Sequence, residues 1–171
     1  VDFWRQKVDL GDGERLIGIN WNGSALQSSR ERLSSDIPLR AFEPLARLPG
    51  VRFVSLQKGF GAEQLRDCPF VNRFVSCQKQ VSKEVRLESM AALTTLCEWV
   101  ICDDSGPAHL AGGLRCPTIL LLPEELAGDG ALYAADLPGT IAPPAEEIEV
   151  EGWNELMLEA CDVLASERIT T

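Results

Sequence analysis

The run Asp103-Asp104-Ser105-Gly106-Pro107-Ala108-His109 brings together two carboxylates, a hydroxyl and the only histidine of the chain. Apolar Val100-Ile101-Cys102 precedes it, and small-residue Leu110-Ala111-Gly112-Gly113 follows. The pattern reads as a buried strand, a polar turn and a helix that packs closely through Gly112 and Gly113. A helix start offers free N–H groups and the positive end of the helix dipole, which suits anions and phosphates above all. In open α/β sheets, nucleotides bind where such turns leave the carboxyl ends of the strands. Asp104 is either a ligand contact or a plain helix cap, and Asp103 reads as structural or solvated. His109 is either a ligand contact or a capping or core residue satisfied by a backbone carbonyl.

Other elements must hold this turn in place. Leu16–Asn20, Val51–Leu56 and Thr118–Leu122 are apolar runs expected as strands, the last continuous enough to be buried on both faces of a parallel sheet. Val71–Val75 and Thr140–Ala142 are weaker strand candidates. Residues 21–36 form a long polar loop. Ser35 or Asp36 can cap a helix with Pro38 in its first turn and Leu39, Phe42, Leu45 and Ala46 on one face. Pro49-Gly50 ends that helix, and Gln57-Lys58-Gly59-Phe60-Gly61 is a glycine-containing turn before a short helix from Ala62 to Arg66. Leu87–Trp99 is expected as a helix with Leu87, Met90, Ala91, Leu93 and Cys97 inward, and Trp153–Ala165 as a closing amphipathic helix. Alternating strands and helices predict a parallel sheet covered on both faces.

Composition narrows the function. The 171 residues allow one domain with a single core. Net charge is −10, unevenly placed. Residues 1–115 carry 15 basic and 14 acidic side chains, whereas residues 116–171 carry one arginine and 12 acidic side chains. An acidic chain without a basic stripe argues against nucleic acid as a partner. The six cysteines form no CxxC or CxxH spacing, so no metal site is expected, and reduced core thiols of a cytoplasmic protein are. No apolar run is long enough to span a membrane. Residues 1–14 read as a lead-in with Trp4 as an anchor, and residues 15–171 as the domain.

Four segments in order carry a resemblance: Ile17-Gly18-Ile19-Asn20-Trp21-Asn22-Gly23-Ser24; Ile37-Pro38-Leu39; Pro49-Gly50-Val51-Arg52-Phe53-Val54-Ser55-Leu56-Gln57-Lys58-Gly59; and Asp104-Ser105-Gly106-Pro107-Ala108-His109-Leu110-Ala111-Gly112. Residues 15–123 resemble the C-terminal half of glycosyltransferase family nine, the ADP-heptose:lipopolysaccharide heptosyltransferases. They are similar also to glycosyltransferase domains that follow tetratricopeptide repeats in bacteria. The resemblance implies an α/β, three-layer Rossmann-like domain, one half of a GT-B architecture. It implies the nucleotide-sugar donor-binding half of an inverting transferase, with no cofactor and no metal. An N-terminal Rossmann-like domain, with a repeat array in some relatives, would be the partner that supplies the catalytic base, so no catalytic residue is assigned here. Carried over by position, Asp104, Ser105 and Gly106 fall in the donor-contacting turn, with His109 beside them. Glu63 matches a carboxylate that approaches the nucleoside, Arg30 and Arg32 lie where a basic residue nears the diphosphate, and Lys58 lies in the shared Ser-Leu-Gln-Lys-Gly turn. Fixed cations and N–H groups suit a departing nucleoside diphosphate, whose negative charge grows as it leaves.

The segment Glu124–Gly139 departs from the aromatic-rich stretch of the repeat-associated relatives, with Tyr133 its single aromatic. That departure and the acidic end keep a second reading open, a degenerate interaction module behind a repeat array. Half of a nucleotide-sugar epimerase is a third.

Overall fold

The computed structural model describes residues 1–22, 37–84, 86–103, 105–121, 140–141 and 150–166. Its strands are β1 (Arg15–Asn20), β2 (Val51–Ser55), β3 (Trp99–Cys102), β4 (Thr118–Leu121) and β5 (Thr140–Ile141). Its α-helices are α1 (Asp2–Val8), α2 (Glu43–Ala46), α3 (Gln78–Lys83), α4 (Leu87–Thr94), α5 (Gly106–Gly113) and α6 (Val150–Ser166). The sheet runs β2-β1-β3-β4-β5, and every pair is parallel. β1 is an interior strand, with Ile17 opposite Phe53 on one side and Trp99 on the other.

Alternation along each strand divides the core in two. Ile17, Ile19, Phe53, Trp99, Ile101, Ile119 and Leu121 face one layer, built by residues 37–46, the Phe70–Phe74 segment and the Met157–Leu164 stretch of α6. Leu16, Val54, Val100, Cys102 and Leu120 face the other, built by α1, α3, α4 and α5. This is the three-layer α/β arrangement expected from the sequence. Gly18 is where β1 meets that second layer closely. A Cβ there would lie 3.0 Å from Leu56 Cδ1 and 3.1 Å from Cys97 Sγ.

Several expectations need correction. Val71–Val75 is not a strand: Val71–Arg73 is a 3-10 turn, and only an isolated bridge joins Phe74 to Phe53. Phe70 and Phe74 instead pack their rings against Phe53. The helix expected over Leu87–Trp99 stops at Thr94, because Trp99 is claimed by β3. Met90, Leu93 and Cys97 are buried as expected, but Leu87 is exposed. Pro38 precedes a 3-10 turn (Leu39–Phe42) rather than sitting inside a helix. Gly112 and Gly113 do not mediate close packing. A Cβ at either would meet nothing within 4 Å, and α5 rests on Ala108 and Ala111. The expected lead-in holds a helix, α1, whose Trp4 and Val8 are buried in the second layer. All six thiols are free, five of them buried and Cys77 half-buried. No helix among the described residues is long and apolar enough to cross a membrane.

Candidate functional site

The strand order fixes where a site belongs. β1 is followed in sequence by its neighbour on one side and in space by β3 on the other, so the carboxyl ends of β1 and β3 flank the point where the winding reverses. Crevices of this kind bind ligands in doubly wound sheets. Asn20 ends β1, and the polar turn containing Asp103 and Ser105 follows β3.

Asn20 is buried, and its Nδ2 donates across the crevice to Asp103 Oδ1 at 2.8 Å and to Ser105 Oγ at 3.1 Å. It also reaches the carbonyl of Asn22 at 3.3 Å. Asp103 is thus the buried, hydrogen-bonded partner of Asn20, in line with the structural reading of this carboxylate. Ser105 is the N-cap of α5 in extended conformation, and its side chain makes no capping bond.

The helix start offers fewer donors than the sequence suggests. The Ser105 N–H donates to Asp103 O at 2.9 Å, and the Ala108 N–H to Ser105 O at 2.9 Å. Pro107 has no N–H. Among the described residues this leaves the Gly106 N–H free, and a Cβ on Gly106 would meet open space. A ligand can therefore approach the backbone closely here. The His109 side chain is exposed on the same first turn.

A second group of amides locks the turns after β1 and β2 together. Gln57 is buried, and its Oε1 accepts from the N–H groups of Trp21 at 3.0 Å and Asn22 at 2.9 Å. Its Nε2 donates to Asn22 O at 3.0 Å and Phe60 O at 2.7 Å. Trp21 Nε1 donates to Gly61 O at 3.1 Å, and Gln64 Nε2 to Asn22 Oδ1 at 3.2 Å. Every lone pair and proton of the Gln57 amide is used within the protein, so this side chain is a brace. The parallel strands ending at Asn20 and Ser55 bring Trp21 and Gln57 to one edge. The sequence did not mark Asn20, Asn22 and Gln64 as the wiring. The available signal was amide side chains at the ends of otherwise apolar runs.

The remaining expected site residues divide. Glu63 is exposed in the 3-10 turn Ala62–Asp67, one residue before Gln64. Lys58 reaches back onto the fold. It is half-buried, and its Nζ donates to the Val81 carbonyl near the end of α3. Burial lowers its pKa, with the Glu84 charge opposing. Arg30, Arg32 and Asp104 lie outside the described residues, as do Pro123, Tyr133 and the segment 124–139. No cluster of metal-ligating side chains occurs among the described residues.

Comparison with known proteins follows this geometry. Residues 66–127 match the profile of glycosyltransferase family 9 (heptosyltransferase). The match spans β3, α5 and β4, and so includes Ser105, Gly106 and His109 but neither Lys58 nor Glu63. Protein FlbA of Caulobacter vibrioides is 28% identical over 126 residues, covering 71% of this chain and 20% of that protein. Two solved structures are similar in fold. The E. coli heptosyltransferase WaaC with ADP aligns with TM-score 0.56 at 14% identity, over 91% of this chain and 46% of its own. The E. coli ADP-heptose lps heptosyltransferase II aligns with TM-score 0.54 at 16% identity, over 93% of this chain and 51% of its own. The chain thus spans about half the length of the solved relatives and a fifth of the curated one. It shares the α/β fold of the GT-B heptosyltransferases.

Proposed function

We propose that this chain is the nucleotide-sugar donor-binding half of an inverting glycosyltransferase. The reading is carried by one observation. The β3 side of the crevice between β1 and β3, with the open Gly106 N–H at its rim, falls inside residues 66–127, the stretch that matches the family 9 profile. In this reading a nucleoside diphosphate sits against the start of α5. Arg30 or Arg32 contributes positive charge to the diphosphate, Asp104 contacts the donor, and Glu63 approaches the nucleoside. The partner is a facing Rossmann-like domain that supplies the acceptor site and the base aimed at the acceptor hydroxyl. Water must also be excluded while the donor bond breaks, and one wall of a cleft cannot do that.

Calorimetric titration with nucleoside diphosphates and their sugars tests this. Residues 1–171 alone should bind at roughly tens of micromolar to millimolar, as expected of an incomplete site. They should transfer no sugar. Arg32→Glu should weaken binding more than Arg47→Glu, because Arg47 lies on α2's end and pairs with Glu43 at 2.8 Å. Equal effects of the two reversals, or steady transfer abolished by Asp104→Ala, would refute the half-enzyme reading.

A non-catalytic interaction module is the second reading. The bond from Lys58 to the Val81 carbonyl favours it, since it holds that amine against the fold. Absence of binding to every nucleotide tried would decide for the module.

A further inference from the structure

The turn after β2 carries a side chain that the fold's own packing does not use. Phe60 is 48% exposed, whereas Phe42, Phe53, Phe70 and Phe74 are buried. Phe3 is exposed too, but it packs edge-on against Trp4 with Lys7 over its ring. Phe60 makes no ring contact among the described residues. Its backbone, by contrast, is tightly held. Its carbonyl accepts from Gln57 Nε2 at 2.7 Å, and the next carbonyl, that of Gly61, accepts from the Trp21 indole at 3.1 Å. Gly59 and Gly61 flank it with φ of 65° and 82°. Gly61 has no room for a side chain, since a Cβ would fall 2.2 Å from Asn22 Oδ1. The chain therefore fixes the backbone of an aromatic residue and leaves about half of that residue in solvent.

The position of that ring matters. β2, β1 and β3 are consecutive in the sheet, so the turn after β2 and the start of α5 flank the carboxyl end of β1 from opposite sides. Two strand spacings separate them, about 10 Å. An extended nucleoside diphosphate with its phosphates at Gly106 can lay its base over the turn after β2. The geometry points to Phe60 as the platform on which the base of a bound nucleoside diphosphate stacks. This inference rests on the donor-binding reading above and adds the residue that holds the base. Every base has a π-face, so such a platform raises affinity for all of them and does not choose among them. Holding the backbone in advance removes part of the ordering cost of binding.

The test compares the unsubstituted chain with Phe60→Ala and Phe60→Trp in titrations with ADP, UDP, GDP and inorganic pyrophosphate. Phe60→Ala should weaken each nucleoside diphosphate by roughly 5- to 100-fold, the range of a lost base–aromatic stack. Pyrophosphate, having no base, should change by less than about twofold. Phe60→Trp should keep nucleotide binding, and the added indole emission should be quenched saturably by each nucleotide. Nucleotide affinity unchanged in Phe60→Ala would overturn the platform and leave the donor-binding reading standing. An equal loss for pyrophosphate would also overturn it. Failure of the unsubstituted chain to bind any nucleoside diphosphate would overturn both.

Discussion

At the scale of single residues, the carboxyl edge of the sheet is governed by amides. Asn20 spreads its two amide protons over Asp103, Ser105 and the Asn22 carbonyl. Replacing it with leucine leaves the buried Asp103 carboxylate without this donor. Asn20→Leu should cost about 1–3 kcal/mol, since it leaves a buried polar group short of a hydrogen bond. Urea unfolding reads this directly, and a loss below about 0.5 kcal/mol would show that the Asn20 bridge is dispensable. Gly61 gives a second test. Its positive φ and the Asn22 oxygen 2.2 Å from a Cβ oppose any side chain. Gly61→Ala should destabilise by roughly 1–3 kcal/mol, through both backbone strain and displacement of Asn22. Gly59 has nothing within 4 Å of a built Cβ, so Gly59→Ala should suffer only the backbone part and cost less. Equal losses at the two glycines would mean that the Asn22 contact carries no energy.

At the scale of elements, burial decided what could be read from sequence. β1, β2, β3 and β4 were legible because continuous apolar runs such as Leu16–Asn20 and Thr118–Leu121 have few alternatives to a doubly covered parallel strand. Val71–Val75 misled because Phe74 packs its ring on Phe53 and meets it only in an isolated bridge, and local pattern cannot distinguish this from a full strand. The helix end misled because no proline or glycine separates Thr94 from Trp99, whose backbone pairs with Ile17 in the sheet. Of the candidate site, the α5 start was visible as a motif. The competition for its N–H groups was not, since it depends on the conformation of Ser105. Lys58 shows the same limit, for its carbonyl partner lies 23 residues away. A different long-range tie joins three elements at the amino edge. Arg15 Nε lies 2.9 Å from both oxygens of Glu98, and its Nη1 donates to Leu164 O of α6 at 3.0 Å. Both side chains are partly exposed, which screens the pair. Arg15→Leu should therefore cost about 1–2 kcal/mol, with amide exchange accelerated first along Met157–Ser166. Uniform acceleration across the sheet would contradict a role specific to α6.

At the scale of the whole molecule, the buried thiols set an alkaline limit. Burial pushes Cys116 and Cys161 up to about 11 and Cys97 well above its ordinary range. A thiol whose pKa is higher folded than unfolded stabilises fully below the unfolded value of 9.0 and loses that contribution as pH rises toward the folded value. Lys58 works the other way, because its lowered pKa makes its burial less costly as pH approaches 10.5. The thiols outnumber it, so stability should fall by at least about 1 kcal/mol between pH 8 and pH 11. The double variant Cys116→Ala/Cys161→Ala should show a shallower fall, and an unchanged slope would mean that other groups govern it. The parallel sheet also has a consequence during synthesis. β1 is an interior strand of the finished sheet, buried from Leu16 to Asn20, yet it emerges from the ribosome before either neighbour. Val51 follows Arg15 within a short interval, but Trp99 trails its partner Ile17 by about 80 residues. At roughly 5–20 residues per second, one side of this apolar strand stays open for about 4–16 seconds in each nascent copy. During that interval its unpaired backbone edge is a template for a neighbouring chain on the same polysome. Slower elongation should therefore lower the yield of folded chain, because it lengthens the wait of β1 for β3.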